Sequence, residues 1–403
     1  MNTPLEPRHV AYLRSIPERV TAEKMFGMDN IVRALMCALL TGGHVLLEGN
    51  PGLGKTALAK AMAKAMGIGG AGVVGRIQFT PDLMPADITG TGVPDYDQNG
   101  RMEIKFRKGP IFHQLLIADE INRATPKTQA AMLEAMGEGQ VTVMGETKPL
   151  RNPATVGRKA DVLTPFMVLA TQNPIDQEGT YDLPEAQSDR FMMKIRMQMP
   201  DASVIEAIVR KEISPPALTK PPEPDITQKE KGLADLHDAT TAVMSMELPP
   251  AVLTHIVNLI QATNGRFDQV RGISKPRMRD LQEWLAGRIT YPLGPRAATA
   301  LARGALAWSA VALVEPAKAE VAAAESPRGL AAVLVPVLRH RLRITEAHDS
   351  RAVTEGDQAE ALDAFLRDLA VRAAPDAADA TAAEGYDTRF QSFIETARQD
   401  ILL

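Results

Sequence analysis

Gly49-Asn50-Pro51-Gly52-Leu53-Gly54-Lys55-Thr56, directly after the apolar run His44-Val-Leu-Leu-Glu48, decides the reading of this chain. The stretch fits the phosphate-loop pattern of Gly, four residues, then Gly-Lys-Ser/Thr, set between an expected strand and an expected helix. Glycines let the backbone wrap tightly round a polyphosphate with its N–H groups turned inward, and the positive end of the next helix adds to the attraction. Lys55 supplies a compact charge for the β and γ phosphates, and Thr56 offers a hydroxyl to Mg²⁺. The expectation is a nucleoside-triphosphate site built from residues 49–56 together with Ala57 at the start of the helix.

Working outward, 403 residues suggest two or three domains and enough material for a sizeable core. A net charge of −4 gives no global electrostatic case for nucleic acid or an anionic membrane. The single cysteine, Cys37, excludes an internal disulfide and any cysteine-based zinc site, which points to a reducing cytoplasm. The first nine residues, Met1 to His9, hold no apolar signal core, and no run approaches the length of a membrane span. A soluble, cytoplasmic protein is expected.

From about residue 25 to 200 short apolar strands alternate with helices, the pattern of an α/β fold with a three-layer parallel sheet. The expected strands are 44–48, 76–79, 115–119, 166–170 and 192–196. A helix over 56–66 carries Leu58, Met62 and Met66 on one stripe and ends at Gly67; another over 126–136 starts from Thr125 and stops at Gly137. Residues 88–108 read as a hairpin turning near Asn99-Gly100, and 139–150 as a second one turning at Gly145. Residues 1–24 read as an arm with a short helix. The Pro-rich connector 214–224 leads into a helical region with Leu253, Ile256, Val257 and Ile260 at helical spacing. Residues 373–383 are Ala/Asp-rich and read as mobile, and behind them Phe390, Phe393, Ile394, Ala397 and Ile401 line one face of a terminal helix. The division expected is an arm (1–24), a nucleotide-binding core (25–200), a helical domain (201–345) and a C-terminal helical extension (346–403).

The apolar run 115–118 ends in Asp119-Glu120 at the carboxyl edge of the sheet, where ligands bind. Asp119 there can hold the Mg²⁺ shell and Glu120 can polarise the attacking water; a plain acidic helix cap is the alternative. Asn173 ends the neighbouring strand and can orient that water, or serve only as a turn residue before Pro174. Arg190 stands just before the last strand, too far round the sheet for its own nucleotide, and suits a neighbour's site as an arginine finger. A surface salt bridge to Asp189 or Glu185 is its bland alternative. Arg296, in Gly294-Pro-Arg-Ala-Ala298, begins a later helix and can read the γ-phosphate as that domain closes.

Taken together, the chain resembles a MoxR-type AAA+ ATPase, densely over residues 43–56, 76–90, 118–136 and 170–191 and more weakly at 291–297 and 337–342. The resemblance implies an AAA+ αβα parallel-sheet core with β-hairpin inserts, followed by an all-α lid, assembled as a homo-oligomeric ring, often a hexamer. It implies ATP and Mg²⁺ as ligands, with Lys55 and Thr56 as Walker A, Asp119 and Glu120 as Walker B, Asn173 as sensor 1, Arg190 as the finger and Arg296 as sensor 2. Arg277 is a rival for the last role. The hairpins 88–108 and 139–150 become the helix-2 insert and the pre-sensor hairpin, both near the pore. Residues 69–75 and 152–163 run longer than is typical, and 345–403 match no family segment. The implied activity is ATP hydrolysis that remodels or activates a protein client, alongside a partner with a von Willebrand factor A domain. The alternative is an AAA+ motor or loader on nucleic acid, with Arg101, Lys105, Arg107 and Lys108 as its contacts.

Overall fold

The computed structural model describes residues 5–23, 27–49, 53–67, 74–96, 101–151, 153–156, 159–173, 181–197, 199–213, 226–313, 327–345, 355–376 and 385–396. Asn50, Pro51 and Gly52 of the phosphate loop lie outside them. So do the expected turn at Asn99-Gly100, the connector 214–224, residues 377–383, and Ala397 and Ile401.

The elements begin α1 (Pro7–Ala22), α2 (Asp29–Leu40), β1 (Val45–Glu48), α3 (Lys55–Ala65), β2 (Val74–Gln78) and α4 (Pro85–Thr89). They continue β3 (Gly90–Tyr96), β4 (Met102–Lys108), β5 (Leu115–Asp119), α5 (Pro126–Glu138), β6 (Gln140–Val143), β7 (Glu146–Pro149), β8 (Pro153–Val156), β9 (Lys159–Leu163), β10 (Met167–Gln172), α6 (Glu185–Ser188) and β11 (Met193–Arg196). Among the described residues one five-stranded sheet runs in the order β11-β1-β10-β5-β2, all parallel. Its strands alternate between two cores. Val45, Leu47, Ile117, Leu169 and Ile195 point to the α2–α3 side. Leu46, Ile77, Leu116, Ala118, Val168 and Ala170 point to the α5 side. Both faces being covered is why the three central strands β1, β10 and β5 read as near-continuous apolar runs, whereas the edge strands β2 and β11 alternate apolar with polar residues. Leu58, Met62 and Met66 are buried as the stripe requires, and Gly67 takes the left-handed φ of +73° that ends the helix.

Helix α5 runs one residue past Gly137, to Glu138. The left-handed stop falls at Gly139 (φ +64°), whereas Gly137 stays helical, and a Cβ there would sit 2.8 Å from Nη1 of Arg190. Its glycine thus serves side-chain packing, not chain reversal. The hairpins β3–β4 and β6–β7 are both antiparallel, the second turning at Met144-Gly145 with φ +55° and +80°, a type I′ pattern. A third hairpin, β8–β9, occupies the stretch noted as long.

The rest is α7 (Ala202–Glu212), α8 (Ile226–Met244), α9 (Pro250–Thr263), α10 (Lys275–Leu285), β12 (Ile289–Tyr291), α11 (Pro295–Leu313), α12 (Arg328–Leu338), β13 (Arg343–Ile344), α13 (Glu355–Ala373) and α14 (Tyr386–Thr396). The fold is an α/β parallel-sheet core with an all-α lid, apart from the small antiparallel β12–β13 pair. The apolar core on the α2–α3 side continues without a break into the lid.

Several expectations need refining or correcting. The arm read as carrying a short helix holds a sixteen-residue one, over residues 7–22, that buries Leu13, Ile16 and Val20; the Tyr12 hydroxyl donates to Met66 C=O at 3.1 Å and the Arg19 guanidinium to Ala65 C=O. The helical spacing at Leu253, Ile256, Val257 and Ile260 does mark a helix, α9, whose buried face is Val252, His255, Ile256 and Leu259, with Leu253 and Val257 exposed. Ala373 and Ala374 are fully buried, and Asp376 accepts from the Ser274 N–H at 3.0 Å, so the start of the Ala/Asp-rich stretch is packed. The terminal stripe packs inward through Phe390 and Ile394.

Buried histidines tie these parts together. His44 accepts from the Val168 N–H and lies 3.2 Å from Met136 C=O. His255 joins the Tyr386 hydroxyl at 3.1 Å and Ala370 C=O at 2.8 Å, which fastens α13 and α14 to α9. Burial lowers both pKa values, to about 4 for His44 and about 3 for His255. The neutral rings therefore contribute stability that is fully present above the unfolded value near 6.5 and is lost as pH falls toward these folded values. We expect the thermal midpoint, read by circular dichroism, to drop steadily from pH 7 to pH 4.5. Each histidine removes up to about 1.4 kcal/mol per pH unit. A flat midpoint across that range contradicts the assignment.

Candidate active site

Strand β1 delivers the phosphate loop at its carboxyl end, and β10 and β5 bring their own carboxyl ends to the same edge through the registers Glu48↔Gln172 and Ala170↔Ala118. Gly54 caps α3 in the left-handed region (φ +76°) and points the first turn of that eleven-residue helix at the loop. Gly49 has no room for a side chain, because a Cβ would lie 2.9 Å from Met197 C=O. Lys55 Nζ donates to Gly49 C=O at 2.6 Å. Burial lowers its pKa, while Asp119, Glu120 and Glu48 act to raise it, so its cation faces three carboxylates across the loop. A half-buried ammonium at a helix start, in a glycine cradle opposite a buried carboxylate, fits a magnesium–triphosphate group.

Asp119 is buried. Its oxygens meet Arg76 Nε at 2.7 Å and the Thr171 hydroxyl at 3.4 Å. Glu120 takes the left-handed conformation (φ 57°, ψ 51°), costly for a residue with a Cβ, and its N–H donates to Thr171 Oγ1 at 2.9 Å. Its carboxylate accepts from Gln78 Nε2 at 2.9 Å and pairs with Arg123 at 3.0 Å. Asn173 follows Gln172 at the same edge. Lys55 thus faces Asp119 and Glu120, with Thr56 next to it on α3 and Asn173 just past the end of β10.

Sequence reasoning missed Arg76, Gln78, Arg123 and Thr171. Their signal was faint but present: Arg76 and Gln78 alternate along β2, and the register Gln78↔Asp119 sets them beside the two carboxylates. Also missed was Glu48, one residue before the loop, which holds Lys194 at 2.5 Å and Arg196 at 3.1 Å. Burial raises the Glu48 pKa, but these two cations outweigh it and hold the carboxyl below its ordinary value. Arg196 continues to Asp363 on α13, which pairs with the buried Arg339 at 2.8 Å.

Arg190 and Arg296 lie elsewhere, at the opposite end of the sheet. Arg190 precedes β11, and its Nη1 donates to Leu133 C=O at 2.6 Å within its own chain; its Nε is buried without a partner among the described residues. Arg296 stands 3.7 Å from Asp189 beside it, not at the phosphate loop that it was expected to reach on closure. Arg277 is taken up inside the lid by Asp387 at 3.1 Å and Val371 C=O at 3.0 Å. The loop carrying Arg190 is gripped by the lid: Arg341 binds Asp189 at 2.7 Å and the carbonyls of Asp189, Phe191 and Met192, while His340 meets Phe191 C=O at 2.9 Å.

Residues 44–193, the span that builds this edge, match the family described as "ATPase family associated with various cellular activities (AAA)". Chaperone MoxR1 of Mycobacterium tuberculosis (strain H37Rv) is 35% identical over 320 residues, 79% of this chain and 72% of that protein. This chain is a MoxR-family AAA+ ATPase. The uncharacterised protein YeaC of Bacillus subtilis (strain 168) is 41% identical over 251 residues, 62% of this MoxR-family chain and 70% of YeaC. A crystal structure described as that of a "putative ATPase" from Cytophaga hutchinsonii aligns with a TM-score of 0.61 at 31% identity, covering 88% of this chain and 95% of that one. The MoxR-family ATPase binds nucleotide and hydrolyses ATP, and its function is chaperone-like. Among the described residues no helix is long and apolar enough to cross a membrane.

Proposed function

We propose that this ATPase works as a ring, hexameric as in its family, that remodels or activates protein clients together with a partner carrying a von Willebrand factor A domain. The observation that carries the ring is the separation of the two halves of the site. The loop, Asp119 and Glu120 stand at the carboxyl edge of the sheet, while Arg190 and Arg296 stand at its amino edge and face away. In the proposed arrangement a triphosphate meets Lys55 on one copy and the two arginines of the next.

On the loop side Lys55 balances phosphate charge, and Thr56 and Asp119 hold Mg²⁺, which when bound neutralises charge on the transferring phosphoryl oxygens. Glu120 accepts the proton of the attacking water, and Asn173 orients that water. For Glu120 to do so it must leave Gln78 and Arg123; for Asp119 to bind the metal it must leave Arg76. The proposed division keeps 25–200 as ATPase core, 201–345 as lid and 346–403 as extension, in a cytoplasmic protein. The nucleic-acid reading gains no support: Lys105 is paired with Asp95 at 2.7 Å and Lys108 lies over the Phe112 ring.

The test is mass. The Glu120→Gln protein with saturating ATP and Mg²⁺ should elute as a closed oligomer by size exclusion with light scattering. A protomer mass under those conditions, with full turnover in the unaltered protein, overturns the ring.

A further inference from the structure

Between the amino end of β1, the last turn of α5 and helix α11 lies a cavity of about 530 Å³. Five guanidiniums line it: Arg151, Arg190, Arg296, Arg303 and the buried Arg341. Of these, Arg190 and Arg296 already belong to the proposed shared site. Arg303 follows Arg296 by seven residues, two helical turns and about 10 Å along α11, hence on the same face. Between them Thr299 and Ala300 present small side chains to the cavity and leave its floor open.

The opposite wall is shaped to admit guanidiniums. A Cβ on Gly42 would lie 2.6 Å from Arg151, whose Nη2 donates to Gly42 C=O, and Gly137 makes the corresponding room for Arg190. Carboxylates are scarce. Of the two that line the cavity, Asp189 is shared between the buried Arg341 at 2.7 Å and Arg296 at 3.7 Å, which leaves Glu138 alone against Arg151, Arg190 and Arg303. Arg303 is exposed and has no ion pair among the described residues. Burial and the Arg303 charge both lower the Arg151 pKa, so the cavity is electrostatically uncompensated as it stands. Such a site takes a multivalent anion.

The chain's own nucleotide cannot supply that anion, because the phosphate loop lies at the far end of β1, four residues and about 13 Å away. We propose that Arg303, backed by the fixed charge of Arg151, is a further substrate-contacting residue that reads the triphosphate held on the phosphate loop of the adjacent copy. This rests on the ring reading and extends it from two arginines to four.

The decisive experiment mixes subunits. Arg303→Ala alone should lower ATP turnover about tenfold or more while nucleotide affinity at the intact loop stays within about twofold, the size expected for one lost charge-assisted contact. Alanine at an exposed helical position does not threaten folding. Mixed with Lys55→Ala subunits, whose cavity is intact, the Arg303→Ala protein should regain activity severalfold above the average of the two homomers. Arg303→Lys should keep part of the rate. Full turnover in Arg303→Ala overturns the inference. So does a defect that Lys55→Ala subunits fail to rescue while they do rescue Arg190→Ala. If neither mixture is rescued, the ring reading itself fails and takes this inference with it. Inorganic pyrophosphate separates the other source: saturable binding to Lys55→Ala protein that Arg303→Ala abolishes, with no rescue in mixtures, assigns the cavity to a free anion.

Discussion

Glu120→Gln should lower steady-state ATP turnover by about 10²–10⁴-fold, the range for a lost general base, with ATP binding retained. Glutamine keeps the size and the hydrogen bond from Gln78 Nε2 at 2.9 Å but cannot take a proton from water. It also loses the ion pair to Arg123 at 3.0 Å, a half-exposed contact whose absence costs the fold little. Phosphate release gives the rate, and fluorescent-nucleotide titration gives the affinity. Unchanged turnover would remove Glu120 from the chemistry and leave its left-handed backbone without a functional account.

Arg190→Ala should reduce turnover by about 10³-fold or more, the effect of an arginine finger, and should do so without weakening binding at the loop. The structure adds a requirement. Arg190 is tied to Leu133 C=O and half buried against Gly137, so presenting it to another copy means breaking that bond or approaching along it. Mixing with Lys55→Ala subunits distinguishes the roles, since loop and finger then come from different chains. Recovery of activity in the mixture supports the shared site, and a fully active monomer contradicts it.

The central strands β1, β5 and β10 were legible because each is covered on both faces, so burial writes a near-continuous apolar run between turn residues, and the phosphate-loop helix was legible from its buried stripe and the glycines at its ends. The carboxylates were legible for a related reason: chemistry at the carboxyl edge demands charge immediately after an apolar strand. What surrounds them was not. Arg76 and Gln78 reach Asp119 and Glu120 through strand register, which a single strand does not disclose. Gly137 reads as a stop until Arg190 is seen beside it, and the spacing of Leu253 and Val257 marks a helix without saying which side of α9 is buried. Arg296 was legible in part: its helix start was read correctly, while the end of the sheet it faces depends on how the lid docks.

Asp363 makes the boundaries of this enzyme wider than its family resemblance. The carboxylate sits on α13, in a segment that no motif announced, yet it is the acid that pairs with Arg339, a side chain only 2% exposed. Through Arg196 it joins the strand pair that carries the phosphate loop. Cutting the chain after the lid would strand a buried guanidinium, a defect of about 3–5 kcal/mol, comparable with the whole margin by which a domain stays folded. The smallest unit able to hold the loop in place is therefore not the stretch that a family comparison picks out. It includes the tail, and the ATPase is only as autonomous as its last helices allow.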